Sequence, residues 1–169
     1  MREFVRRHQV AVFFVLAYAL AWMLVPFGSF GAYAPLLAAV IVLPLAQGVA
    51  GLRELGAGLV RWRVPWVWFV VALGVPIAVH LLTATIQVGL GGRAWSLTSS
   101  GVLAVLGTFA LRLVNPTDGP LGEEPGWRGF ALPALQRSRA SRLHAMVVVT
   151  VLAAGWHLPL FFMGEGGSA

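Results

Sequence analysis

The sequence predicts an all-α fold: a polytopic transmembrane helical bundle of about five spans, the fourth of them broken. Three observations lead there. The chain is 59% hydrophobic over 169 residues. Only 11% of it is charged, against about 25% in a soluble domain. Long apolar runs also succeed one another with short breaks, several near the roughly 20 residues a helix needs to cross the hydrocarbon. Mean hydropathy is +0.83. A soluble domain around a buried core is excluded. No internal repeat, soluble appendage or low-complexity segment interrupts the pattern, so residues 1–169 read as a single membrane domain with a short flexible tail from Gly164 to Ala169.

The elements come in order. Val10 to Phe27 is the first span. Its amino flank resembles a signal peptide, but it lacks a convincing small-x-small cleavage site and further spans come at once, so a retained span is expected. Tyr33 to Ala50 is the second, despite Pro35 and Pro44. Val64 to Leu90 is the third, with a kink expected at Pro76 and polar interruptions at His80 and Gln87. Proline is tolerated in membrane helices where neighbours satisfy the freed carbonyl. A fourth apolar stretch runs from about Gly101 to Val114 and is broken by Asn115 to Pro120. A helical piece from about Leu121 to Gln136 continues it, and the last span runs from about Leu143 to Met163. Trp62, Trp66 and Trp68 read as an aromatic belt.

Charge sets topology and excludes other classes. Net charge is +6, and all 12 basic residues are Arg. They lie at the ends of apolar runs, which suits orientation and contact with anionic membrane lipid rather than nucleic acid. Arg2, Arg6 and Arg7 precede span one; Arg53, Arg61 and Arg63 come after span two; Arg137, Arg139 and Arg142 precede the last. The positive-inside rule then places the amino end in the cytoplasm and requires an even number of crossings before Arg137. Arg112 fits this scheme poorly; it lines a polar cavity or marks a cytoplasmic edge. The Lys-free, Ala/Gly/Val/Arg-rich usage points to a bacterial cell membrane by association only. Cysteine is absent, so disulfides, thiolate catalysis and Cys-ligated metal are ruled out.

Against this background Glu123 and Glu124 stand out. Acidic residues number 6 in the chain, and a charge at the bilayer centre costs roughly 3 kcal/mol on insertion scales. His157 is the leading partner. The turn between Arg137 and Arg142 centres near residue 140. The glutamates lie about 16 residues before it and His157 lies 17 after it. Antiparallel helices from one short turn rise equally, at roughly 1.5 Å per residue, so carboxylates and imidazole are expected at one depth. Glu124 and Arg128 are four apart and can pair on one helix face, with Glu123 turned about 100° away. One carboxylate is then held while the other is left to act as a general base on water.

Structural explanations compete. Glutamates in a first turn stabilise the helix macrodipole, and Glu–Arg pairs at this spacing are often plain surface pairs. Trp156 beside His157 suits an interface anchor. Arg128 between Gly126 and Gly129 suits a packing site with a snorkelling side chain. His80 reads as structural, and His8 and His144 as interfacial. No HExxH, GxSxG or phosphate loop occurs, and Ser96, Ser99 and Ser100 lack a matched base.

The run Glu123-Glu124-x-x-x-Arg128, continuing through Gly126-Trp127-Arg128-Gly129-Phe130-Ala131-Leu132-Pro133, resembles the first motif of the CAAX-protease and bacteriocin-processing (CPBP, or Abi) intramembrane proteases. Trp156-His157-Leu158-Pro159-Leu160-Phe161-Phe162 resembles the second motif in its bacterial branch, and the separation of the two also fits. The resemblance covers about Gly119 to Phe162; the earlier spans are generic. It implies a membrane-embedded endopeptidase acting on a peptide or protein substrate. Glu123 and Glu124 would supply the catalytic carboxylates, with Glu123 activating water. Arg128 would orient them, and His157 would hold the water or the transition state. Carboxylate plus histidine would suit a divalent metal such as zinc, yet two or three ligands fall short of a full site, so no cofactor is assigned.

Two departures from the family pattern matter. Ala153 stands where an aromatic usually lies four residues before the histidine. The family also has a third motif, a His with Asn or Asp four residues after it, which these residues do not contain. The expectation is a fragment, a truncated product or a member without full activity. Two other functions fit the residues: a non-catalytic membrane factor of the same fold, such as an immunity or scaffolding protein, and a transporter-like protein relaying protons between the glutamates and His157.

Overall fold

A computed structural model describes residues 2–92, 103, 107–108, 110–112, 115, 119–137 and 141–163, apart from the side chain of His80. The stretch from Gly101 to Val114, the break at Asn115 to Pro120, the three serines, Arg93, Arg139, the His80 side chain and the tail lie wholly or largely outside the described residues. Among the described residues every regular element is helical. Contacts divide the chain into two units, Met1–Val60 with Phe109–Ala169, and Arg61–Thr108.

The first unit opens with a short helix, α1 (Arg2–Arg7). Arg7 and Arg6 both bond the Glu3 carboxylate, which holds its carboxyl below the ordinary range. Next comes α2 (Gln9–Trp22). After Gln9 it is almost wholly apolar, and it is free of Gly and Pro; with the 3-10 turn Val25–Phe27 it makes a 19-residue membrane-length segment. Pro26 and Gly28, the latter at φ 72°, end it.

The second helix of the frame, α3 (Ala34–Ala46), packs along α2. Ala17, Ala21, Ala34, Ala38 and Ala39 are wholly buried there, because small side chains let membrane helices approach closely. A polar link joins the pair: the Gln47 amide donates to the Gln9 side-chain carbonyl at 2.9 Å. Gln47→Leu is expected to destabilise this unit by about 0.6–2 kcal/mol, the range for polar links between membrane helices; reversible unfolding in detergent measures it.

The expected second span, Tyr33 to Ala50, is corrected. Helix α3 is 13 residues long, or about 20 Å. Gly48 at φ 71° turns the chain into a separate helix, α4 (Val49–Leu59). The physical reason lies in the residues after Gly48. Arg53 and Glu54 are exposed while Gly51 and Leu55 are buried, so α4 is amphipathic and turns off instead of extending an apolar rod.

The second unit is built on α5 (Val67–Gly89), 23 residues long with Pro76 inside it. Pro76 removes the donor to the Ala72 carbonyl. Thr83 and Thr85 return their hydroxyls to the carbonyls of Val79 and Leu81, which satisfies them inside an apolar helix. Trp62, Trp66 and Trp68 are exposed at its start, and the Arg63 guanidinium lies 5.5 Å from the Trp62 ring centre.

The remaining elements return to the first unit. A helical run comprises α6 (Pro120–Glu124), a π-helical stretch Pro125–Ala131 and α7 (Leu132–Arg137). The expected helix from Leu121 to Gln136 thus forms, but wider in its middle. Pro125 and Pro133 lack N–H groups, so the carbonyls four residues before them lose their usual donors. The Leu132 N–H instead reaches the Trp127 carbonyl five residues back, the π pattern found often at functional sites. Last is α8 (Arg142–Trp156), N-capped by the Ser141 hydroxyl on the His144 N–H, and after it a 3-10 turn, Leu158–Phe161. Three helical segments among the described residues are long and apolar enough to cross a membrane: Gln9–Phe27, Val67–Gly89 and Arg142–Phe161.

Candidate active site

The site is built on the frame of α2 and α3. Gly126 brings the π-helical stretch against α3: a Cβ there would lie 2.5 Å from the Pro35 carbonyl oxygen. Gly129 does the same against α4, where a Cβ would meet Leu55 at 2.6 Å. With these approaches made, Trp127 and Phe130 enter the core beside Phe13 and Phe14. Glu123, Glu124 and Arg128 are left facing a groove. The other wall is α8, packed through Val149 and the fully buried Trp156.

Within the groove the charges sort into two pairs. Arg128 forms an ion pair with Glu124 across one turn, as the spacing predicted. Glu123 lies 3.5 Å from His157 Nε2, so the carboxylate and imidazole expected at one depth do meet. The imidazole is tethered at its other nitrogen, since Nδ1 lies 2.8 Å from the Ala153 carbonyl. A carbonyl only accepts, so Nδ1 carries a proton, and Nε2 is the ring nitrogen turned toward Glu123. The Phe30 ring lies nearly parallel to the imidazole, 27° apart with centres 6.3 Å distant. The cavity is about 380 Å³ and continues from these polar groups along Ala153, Thr150 and Met146 of α8. A volume of that order is within the usual range for small-molecule sites.

All four residues singled out in the sequence, Glu123, Glu124, Arg128 and His157, therefore line one groove. Trp156, by contrast, is not an interface anchor: it is wholly buried, and its indole N–H donates to the Ala17 carbonyl at 3.0 Å. Ala153, which in the sequence stands out only as a departure from an aromatic, supplies both the carbonyl that orients His157 and part of the groove wall. Sequence carried no sign of the Nδ1 tether, because it depends on how the last turn of α8 is wound. His8 and His144 lie outside the groove. The zinc question has a geometric answer: catalytic zinc takes three protein ligands, and among the described residues no three His, Cys, Asp or Glu side chains converge. This donor set does not fit a catalytic zinc.

Apolar helices of membrane length, with a carboxylate–imidazole pair and a carboxylate–guanidinium pair facing one groove, define an integral membrane protein with a polar site inside its helical bundle. Residues 104–166 match the family model described as Type II CAAX prenyl endopeptidase Rce1-like. The matched region contains both motifs and all four site residues. No curated protein and no solved structure matches the chain.

Proposed function

We propose that the protein is an intramembrane endopeptidase that hydrolyses a peptide bond with glutamate-activated water. The observation that carries this reading is the division of labour between the two glutamates. Glu124 is committed to Arg128, while Glu123 faces Nε2 of His157, the ring nitrogen not tethered to Ala153. Water entering the groove beside Glu123 gives a proton to that carboxylate as its oxygen attacks the peptide carbonyl carbon. The C–N bond then breaks, and the proton passes from Glu123 to the departing amine, leaving an acid and an amine. His157 holds the water through Nε2. Arg128 keeps Glu124 turned away, so that two carboxylates do not compete for one proton. The Rce1-like match over residues 104–166 supports a CAAX-type protease; the peptide or protein cut, the bacterial cell membrane and a cytoplasmic amino end belong to this same proposal.

The test is cleavage of a fluorogenic peptide library by the protein reconstituted in liposomes from its complete reading frame, with Glu123→Ala and Glu124→Ala beside wild type. Both variants are expected to lose cleavage, Glu123→Ala the more completely. Unchanged cleavage in both would sink the proteolytic mechanism. Proton flux in the same liposomes, lost in Glu123→Ala without any cleavage by wild type, would favour a relay instead.

A further inference from the structure

The end of α8 is bound to α2 by more polar contacts than packing alone requires. The Tyr18 hydroxyl donates to the Leu152 carbonyl at 2.6 Å. The Trp22 indole N–H donates to the Trp156 carbonyl at 3.0 Å. Trp156 answers with its own indole on Ala17. Tyr18 and Trp22 stand one turn apart with ring centres 5.1 Å distant, so one face of α2 serves both. Gly155 leaves room for this approach, since a Cβ there would lie 2.9 Å from the Tyr18 hydroxyl.

These bonds fall where the helix changes pitch. In an ordinary α-helix the His157 N–H would bond the Ala153 carbonyl four residues back. Here it bonds the Ala154 carbonyl three residues back, at 3.1 Å, which tightens the last turn. The Ala153 carbonyl is thereby available to the His157 ring, whose Nδ1 lies 2.8 Å from it. The Trp156 carbonyl, facing a 3-10 turn that begins with Leu158 and Pro159, is met by Trp22 instead of by backbone.

We propose that Tyr18 and Trp22 are positioning residues for His157: by holding the Leu152 and Trp156 carbonyls they keep the last turn of α8 tightened, and the tightened turn decides which nitrogen of the neutral ring carries the proton. Relaxing that turn lets the His157 N–H take back the Ala153 carbonyl. Nδ1 then shares its acceptor with a competing backbone donor, and the proton of the neutral ring can move to Nε2, facing Glu123. The structural half of this proposal is independent of the reaction; the catalytic half rests on the proposed proteolysis.

The experiment reads both halves. The protein is labelled with ¹⁵N-histidine, placed in lipid nanodiscs at alkaline pH, where imidazole is neutral, and compared with Tyr18→Phe, Trp22→Phe and the double variant. His157→Gln assigns the signal among the 4 histidines. Gln47→Leu is the control, since it breaks a different bond of α2 away from the groove. Wild type is expected to show His157 as the Nδ1–H tautomer alone. The double variant is expected to show a second population with the proton on Nε2, and peptide cleavage with kcat reduced about tenfold to a hundredfold at unchanged KM, the scale of a small misplacement of a reacting group. Gln47→Leu should move neither. A tautomer shift without any cleavage by wild type would uphold the positioning and reject the protease reading. Cleavage and tautomer unchanged in the double variant would overturn the positioning. So would an Nε2–H tautomer in wild type, or a loss of fold in both single variants, which would make these residues a brace and nothing more.

Discussion

Glu123→Gln is expected to lower peptide cleavage by about 10²- to 10⁴-fold, the usual contribution of a positioned general base, while leaving the bundle folded. The isosteric amide preserves the shape facing His157 but cannot take a proton from water. The contrast with the neighbouring carboxylate makes the expectation specific. Glu124 is engaged by Arg128, so Glu124→Gln weakens an ion pair and leaves the base in place. Its loss should be smaller, and Arg128→Gln should resemble it, because each leaves its partner's charge uncompensated beside the groove. An equal effect of Glu123→Gln and Glu124→Gln on kcat, measured in liposomes, would contradict the assignment of one carboxylate to chemistry and the other to support.

Gly126→Ala is expected to destabilise the protein by about 1–3 kcal/mol, as overpacking of a tight contact does, and to abolish cleavage with it. Helix propensity alone points the other way, since replacing Gly by Ala in a helix gains up to about 1 kcal/mol. The contact decides the sign. The added carbon would lie 2.5 Å from the carbonyl oxygen of Pro35 and 2.6 Å from its carbonyl carbon, and backbone cannot swing aside as a side-chain tip can. The helical run must back away from α3, carrying Glu123 from His157. Gly56→Ala is the matched control: nothing lies within 4 Å of its added carbon, so this substitution in α4 should leave stability unchanged or raised. Thermal unfolding in detergent, paired with cleavage, checks both. Similar stability for Gly126→Ala and Gly56→Ala would mean that the approach to Pro35 is not tight.

Gly155 is an intermediate case. Its added carbon would meet the Tyr18 hydroxyl, the far end of a side chain that can rotate away, at the expense of the bond to Leu152. The three glycines look alike in the sequence, and the difference between them is set by the partner each meets. The same holds for tryptophan. Trp66 and Trp156 both flank apolar runs, yet Trp66 is exposed at the start of α5 while Trp156 is wholly buried with its indole N–H on α2.

The amino-acid order by itself determined the apolar helices, because lipid requires every backbone group to be bonded within its own segment. It determined the Glu124–Arg128 pair, because four residues make one turn. It also pointed to the meeting of Glu123 and His157, because the two lie at nearly equal distances in sequence from the segment between their helices. Tertiary structure decided the rest. The second span stops at Ala46 because Gly48 turns the chain and the amphipathic residues beyond it form α4. The helix around Pro125 widens because two prolines withhold their donors while Gly126 and Gly129 let α3 and α4 come close. His157 has Nδ1 on the Ala153 carbonyl and Nε2 toward Glu123 at the end of a helix whose last turn is bonded by Tyr18 and Trp22, partners more than 130 residues away in the chain. Periodicity along the chain specifies contacts within a helix and heights between helices; which carbonyl is free, and which nitrogen faces the carboxylate, depends on contacts between residues far apart in sequence.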